Sequence, residues 1–559
     1  MRKTLALMAL GGLCSDCARV PAGTSNSAEL DGAAGMVAAA HPLATDAGVA
    51  ILASGGNAFD AAVAVAATLN VVEPMMSGIG GYGTILLFDA RERRVRFLNS
   101  SGRIPRAVDA DAFRAPTPGF MENRRGAKAV STPGNLHAWE ALWKTYGSRP
   151  WGELFASAIE AADSGYVIGD QQARMIADAF PEFAPHAREI YGRNGTPLRA
   201  GGRLVQRDLG SSLRMIAGQG VAAFYGVSIG ATIDSVMRAT GGFLSLADLR
   251  ADSAEWWDPI HIDYRGLRIY SASPPANTFD ALARLGVMER FDVRSLGHNS
   301  ADYLHTFAEV TKLGFWLRLR YASDPDVAPV PLARLFSVSY LDSLARQIDP
   351  MRARPFVPPG VSADGSRHTT HFVVGDRWGN VVSATQTIGN IFGSRIMPPG
   401  TGIWLNNSLA YSTFEPKGNP MDAFPGRHKL SGDVPVIAFK DGRPWIAIGT
   451  PGGHTIGQTV PQMLMNVIDF GMDLQKALDA PRVSFSEPDV LVAERTIPDS
   501  VLRALAARGH NVRPSNGVGN AHALSIEYDR SGRPARFVGA SDPRGEGTAR
   551  GPQDVRGKP

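Results

Sequence analysis

Two-thirds of the way along this 559-residue chain, His368-Thr369-Thr370-His371 opens a run of β-branched and aromatic residues. Thr385 and Thr387 follow beyond a Gly379-Asn380 turn, and Thr450-Pro451-Gly452-Gly453 comes later. Alone, a threonine pair at the start of a strand is ordinary β-sheet filler. Joined to a Gly-Gly that ends another strand, it supplies a nucleophile and backbone donors for an oxyanion. A threonine hydroxyl is a weak nucleophile at neutral pH and needs a base beside it. The nearest base is its own α-amine, which exists only if the chain is cut just before Thr369.

Three other patterns invite chemistry and are weaker. His368 and His371 are three residues apart, so on a strand they point to opposite faces and cannot chelate one ion; no metal is expected. Gly226-Val227-Ser228-Ile229-Gly230 fits the G-x-S-x-G of a serine-hydrolase elbow, which requires a strand ending just before Ser228. The glycine-rich stretch 78–83 has no Gly-Lys-Ser/Thr and leads into a strand, so close backbone packing explains it better than a phosphate cradle.

Composition bounds the remaining classes. Apolar residues make up 44% and charged residues 20%, as in soluble globular proteins, and the net charge of +4 is small for this length. Arg91, Arg93, Arg94 and Arg96 read as a solvated strand end, and no nucleic-acid module is visible. The two cysteines, Cys14 and Cys17, lie in a stretch that reads as a leader: Arg2-Lys3, an apolar run from Leu5 to Leu13, then small and polar residues. That run is too short to span a bilayer. Residues 1–23 are therefore expected to be a signal peptide of a periplasmic or secreted protein, whose mature form holds no thiol.

The elements that must position these residues follow from periodicity and turn signals. Residues 24–32 look loose, and order is expected from Gly35. Helices are expected over 43–53 and, capped by Asn57 with Asp60 in its first turn, over 58–69, the second apolar nearly all round. Strands are expected over 84–88 and 95–98, mainly helix over 126–250, a strand over 264–272, a helix over 301–321 and an exposed loop over 357–367. Hairpins 369–374/381–387 and 434–440/445–449 come next, then a helix over 455–470, strands near Val490 and over 523–528, a helix over 500–508, and a frayed tail beyond Arg544.

From about Gly35 to Arg544 the chain resembles the γ-glutamyltransferase (γ-glutamyl transpeptidase) family of N-terminal-nucleophile hydrolases. The likeness rests on Ala39-Ala40-His41-Pro42, Ala53-Ser54-Gly55-Gly56-Asn57-Ala58-Phe59-Asp60, Glu73-Pro74 and Gly80-Gly81-Tyr82-Gly83. It continues through Pro133-Gly134, Gly241-Gly242-Phe243-Leu244-Ser245, Thr369-Thr370-His371, Leu405-Asn406-Asn407, Pro451-Gly452-Gly453 and Ala540-Ser541-Asp542-Pro543-Arg544. The resemblance implies a four-layer αββα sandwich. It also implies self-cleavage between His368 and Thr369 into a large subunit, 24–368, and a small one, 369–559, which stay associated. No cofactor is implied. Thr369 would be nucleophile and α-amine base, Gly452 and Gly453 the oxyanion hole, Thr387 a partner of the nucleophile, and Arg103 the grip on a substrate carboxylate.

Three positions depart from the family's donor site. Its asparagine after Thr387 falls on Gly389, with Asn390 adjacent; its ammonium-binding acid falls on Tyr411; its Ser-Ser pair becomes Ser431-Gly432. A neutral tyrosine in place of an acid loses a charge-assisted bond of roughly 1.5–3 kcal/mol. The expected substrates are small-molecule amides of a carboxylate-bearing acyl group, γ-glutamyl first and another such as glutaryl second. A serine esterase using Ser228 and a non-catalytic binding protein are the rival readings.

Overall fold

Along the strand His368–Asp376, Phe372 and Val374 join one apolar cluster while Val373 joins another. That alternation is the period of two of a strand buried on both faces. The structure, a computed structural model, describes residues 30–32, 34–114, 123–356, 368–412, 415–487 and 489–552. The leader with Cys14 and Cys17, and the loop 357–367, lie outside the described residues.

Two seven-stranded sheets pack face to face. The first runs in the order Thr548–Arg550, Gly35–Ala39, His368–Asp376, Val381–Gly389, Tyr82–Asp89, Arg94–Ser100 and Glu255–Trp257. The second runs Leu30–Gly32, Pro534–Ser541, His522–Tyr528, Arg443–Gly449, Val436–Lys440, Leu267–Ser271 and Ile260–Tyr264. Met36, Leu86, Val373, Ile437, Leu524 and Phe537 fill the space between them. Helices cover each outer face: Pro42–Ala53, Ala58–Val72 and Asn135–Tyr146 on the first sheet, and Phe279–Met288, Ala301–Tyr321 and Ile456–Ile468 on the second. This is the expected αββα sandwich.

Helix Ala58–Val72 is buried along its whole length, and its start is fixed by a capping box in which Asn57 and Asp60 satisfy each other's backbone N–H groups. The expected helix 301–321 is observed with those bounds. Four expectations need correction. The strand over 264–272 is a hairpin, broken at Arg265-Gly266, both at positive φ. The helix over 455–470 begins at Ile456, after a short 3-10 turn Gly453–Thr455. Leu30–Gly32 is a strand, paired with Pro534–Ser541. The tail beyond Arg544 is not frayed through Arg550, because Thr548–Arg550 pairs with Gly35–Ala39 and closes a sheet edge. In both strand cases a partner distant in sequence supplies the order.

Candidate active site

Thr369 sits near the start of a central strand, 4% exposed. The ladder slips there: His368 pairs with Gly389 but Thr370 with Gln386, so Thr369 faces Thr387 and Ile388 across an irregularity. Thr370 points to the helix side, where its hydroxyl donates to Glu73 Oε2 at 2.7 Å. Thr369 therefore shares the inter-sheet face with His371, Thr385 and Thr387, and with Tyr82 and Thr84 on the next strand. His371 stays neutral, since burial holds it well below the usual imidazole range, and its Nδ1 lies 2.8 Å from Thr385 Oγ1.

The carbonyl of the His368–Thr369 peptide bond is engaged by a hydroxyl. Thr387 Oγ1 donates to His368 O at 2.7 Å and accepts from the Gly389 N–H at 2.8 Å. The second bond fixes the direction of the first, because an oxygen that accepts from Gly389 has its own proton free for the carbonyl. Thr387 thus touches the carbonyl that immediately precedes Thr369. Across the inter-sheet space, Gly452 (φ 139°) and Gly453 (φ 58°) turn the backbone after Arg443–Gly449. Among the described residues neither of their N–H groups has an acceptor. Two unpaired N–H groups at one turn suit an oxyanion.

The departures around the donor site are structurally coupled. At Gly389 (φ 96°) a Cβ would stand 2.0 Å from Asn407 Oδ1, which accepts from the Asn390 N–H at 2.8 Å, so the family's asparagine does not fit this backbone. At Gly432 a Cβ would stand 2.8 Å from the Tyr411 hydroxyl: the tyrosine fills the space of a second serine. Tyr411 is buried, reached by Asn277 Nδ2 at 3.4 Å, with the Arg318 guanidinium 5.0 Å and the Lys429 ammonium 4.5 Å from its ring centre. The His454 ring, next to Gly453, packs 5.5 Å away. Ser431 is buried, and among the described residues its hydroxyl has no partner.

Arg103 is committed elsewhere. It donates to Glu255 Oε1 at 2.6 Å and to Gly426 O at 3.2 Å. His428 reaches the same Glu255 oxygen at 3.1 Å and Asp324 at 3.2 Å. Burial alone would lower the His428 pKa, but its bonds to Asp324 and Glu255 raise it to about 9. Asp324, Asp326 and His428 bring ligand atoms within 4.8 Å of one another, as a metal site would. The protonated imidazole and Arg103 already balance buried Asp324 and half-buried Glu255, so the cluster is a charge network.

Ser228 fails the geometry its motif needs. It is exposed, and a short helix, Ala222–Tyr225, precedes it in place of a strand. Gly80 and Gly81 do pack backbone to backbone, a Cβ there falling 2.1 Å from Trp404 O and 2.2 Å from Thr387 O. Asn406 ties this loop to the site: its amide donates to Gly80 O and Ser131 O and its oxygen accepts from Ser131 and Ser408. Sequence reasoning did not single out Glu73, Thr370, Arg318 or Lys429 as site groups. Lys429, two residues before Ser431, was within reach, but burial of a lysine leaves no mark in the sequence.

A sequence model described as Gamma-glutamyltranspeptidase matches residues 44–551. The chain is similar to Acylase ACY 1 proenzyme of Pseudomonas sp. (strain V22), 37% identical over 532 residues, covering 92% of this chain and 93% of that one. It is also similar to Glutathione hydrolase proenzyme of Bacillus subtilis (strain 168), 33% identical over 540 residues, covering 92% and 91%. Among solved structures, cephalosporin acylase from Bacillus halodurans superposes with a TM-score of 0.85 at 29% identity, covering 94% of this chain and 97% of that one.

Proposed function

Because the chain belongs to the gamma-glutamyltranspeptidase family and is an amidohydrolase of the N-terminal-nucleophile type, we propose that it matures by cutting itself between His368 and Thr369 and then hydrolyses or transfers a carboxylate-bearing acyl group. In maturation, Thr369 Oγ attacks the His368 carbonyl while Thr387 holds the carbonyl oxygen. The C–N bond breaks, the acyl group passes to oxygen as an ester, and water hydrolyses the ester, leaving Thr369 with a free amine. That amine, with a pKa of about 8, takes the proton from Oγ as the hydroxyl attacks a substrate amide. Gly452 and Gly453 N–H groups hold the oxyanion, the amine's new proton leaves with the departing amine, and water or an acceptor amine releases the acyl group.

The observation that carries this reading is the Thr387 hydroxyl on the His368 carbonyl, one residue from a buried threonine. The large subunit would be 24–368 and the small one 369–559, and residues 1–23 would direct the protein to the periplasm or outside the cell. Amides of γ-glutamyl are one donor class. A second, glutaryl-like class is favoured by Tyr411, which stands where the family has the acid that would meet an α-ammonium, and by Gly432, which makes room for its ring.

A denaturing gel with N-terminal sequencing tests the maturation. A fragment of about 20 kDa, the 191/559 share of 59.6 kDa, should begin at Thr369, and Thr369→Ala should stay whole. A fully active uncut chain would overturn the proposal. A stable, inactive single chain with ligand affinity would favour the binding-protein reading.

A further inference from the structure

The turn that ends helix Ala58–Val72 reaches both strands at the irregularity beside Thr369. Its Glu73 Oε2 accepts from the Thr370 hydroxyl at 2.7 Å, one residue after Thr369. Met76 O accepts from the Ile388 N–H at 3.1 Å, one residue after Thr387, and Met75 O accepts from the Phe392 N–H at 3.0 Å. The turn is itself anchored. The Glu73 N–H donates to Leu69 O at 2.8 Å, the Met76 N–H to Glu73 O at 2.9 Å, and the Ile79 N–H to Asn70 Oδ1 at 2.6 Å. The helix behind it is buried along its whole length, so the turn is a fixed point in a close-packed layer.

Between those attachments the two strands are out of step: His368 pairs with Gly389, but Thr370 pairs with Gln386. A slip of that kind re-aims a side chain, and ladder pairing alone no longer sets the direction of Thr369. Gln386 is buried, and among the described residues neither atom of its amide has a partner. It offers the Thr370 hydroxyl another acceptor, but a bond to it would tie the two strands only to each other. The bond to Glu73 ties them to the helix layer. A carboxyl is costly to remove from water, and among the described residues the Thr370 hydroxyl is the one hydrogen-bond donor to this one. Resting on the self-cleavage proposed above, we infer that Glu73 is a positioning residue for that reaction. Through Thr370 it fixes the start of the strand so that Thr369 Oγ meets the His368 carbonyl, which Thr387 holds from the partner strand at 2.7 Å. It touches neither reacting atom and moves no proton; its effect is on aim, where a displacement of about 1 Å costs up to roughly 100-fold in rate.

Full-length chains made by cell-free synthesis and chased on a denaturing gel give the rate of cutting. Thr370→Val, which keeps the shape and removes the hydroxyl, should cut roughly 10- to 100-fold more slowly than wild type, and Thr370→Ser should restore most of the rate. Glu73→Leu should match Thr370→Val, whereas Glu73→Gln, whose amide oxygen still accepts, should keep most of the rate. Glu73→Leu combined with Thr370→Val should be no slower than the slower single variant, within about twofold. Thr370→Val cutting at the wild-type rate overturns the inference, and so does a double variant slowed by the product of the two single effects. Melting temperatures measured alongside separate aim from stability: a lower melting temperature with an unchanged rate also overturns it. If Glu73→Leu does not fold, Thr370→Val against Thr370→Ser decides. A wild-type chain that never cuts before Thr369 overturns the proposed maturation and this role with it; a wild type that cuts while Thr370→Val keeps pace overturns this role alone.

Discussion

At Thr387 a single hydroxyl links the backbone of Gly389 to the carbonyl of His368. Losing a donor of that kind costs about 100-fold in rate, so Thr387→Ala should slow self-cleavage by roughly that factor, and Thr387→Ser should restore most of it. A time course of precursor on a denaturing gel reads both. Glu73, on the opposite side of the strand, behaves differently. Burial raises its carboxyl from 4.5 to about 7, against the opposing bond from Thr370. Between those values the folded chain holds a proton that the unfolded chain has released, so this group's contribution to stability falls as pH rises from 4.5 to 7. Melting temperatures of Thr369→Ala across that range should fall relative to the same chain carrying Glu73→Gln. Parallel curves would show that Glu73 is not the group responsible.

Between elements, the donor-site departures form a matched set. Tyr411 closes the 3-10 turn Ser408–Tyr411, and Gly432 lies in the segment leading to Val436–Lys440; the ring of one occupies the room of a side chain on the other. Gly432→Ser alone should therefore destabilise the protein by about 1–3 kcal/mol through overpacking. Added to Tyr411→Asp it should cost far less, giving a coupling energy above about 0.5 kcal/mol in a denaturation double-mutant cycle. Simple additivity of the two substitutions would refute the match. The same double variant should gain γ-glutamyl turnover relative to glutaryl, because an acid returns to meet the ammonium.

For the whole molecule, each sheet contains strands from both sides of the His368–Thr369 bond. Cleavage alone cannot separate the pieces, since the ladders of His368–Asp376 with Gly35–Ala39, Val381–Gly389 with Tyr82–Asp89 and Val436–Lys440 with Leu267–Ser271 would have to open. The two fragments should co-elute in native size-exclusion chromatography and separate only in denaturant. The small-subunit side also carries a fully buried ion pair, Arg482 with Asp542, extended by Arg544 and Glu494. Asp542→Ala would strand the Arg482 charge and should cost about 3–5 kcal/mol, read from urea unfolding. A loss under about 1 kcal/mol would mean that water reaches the site.

Mixed α/β order and the threonine strand were legible because they are written locally: a strand that alternates, a capped apolar helix, a turn-rich loop before Thr369 and a Gly-Gly after a strand; the αββα layering came only with the family resemblance. The edge strands Leu30–Gly32 and Thr548–Arg550 were not, because they are too short to carry a pattern and owe their order to distant partners. Ser228 shows the converse, a motif correct in letters and set after a helix. Which basic residue meets a carboxylate directly was likewise undecidable from the chain alone. Arg103 and Lys429 are both basic residues near Gly-rich turns in sequence; only the fold brings Glu255 to the first and leaves the second between two tyrosine rings. Residue type and spacing pointed to the amidohydrolase chemistry, whereas burial and pairing, which depend on contacts across hundreds of residues, decided which side chains stand around Thr369 and Tyr411.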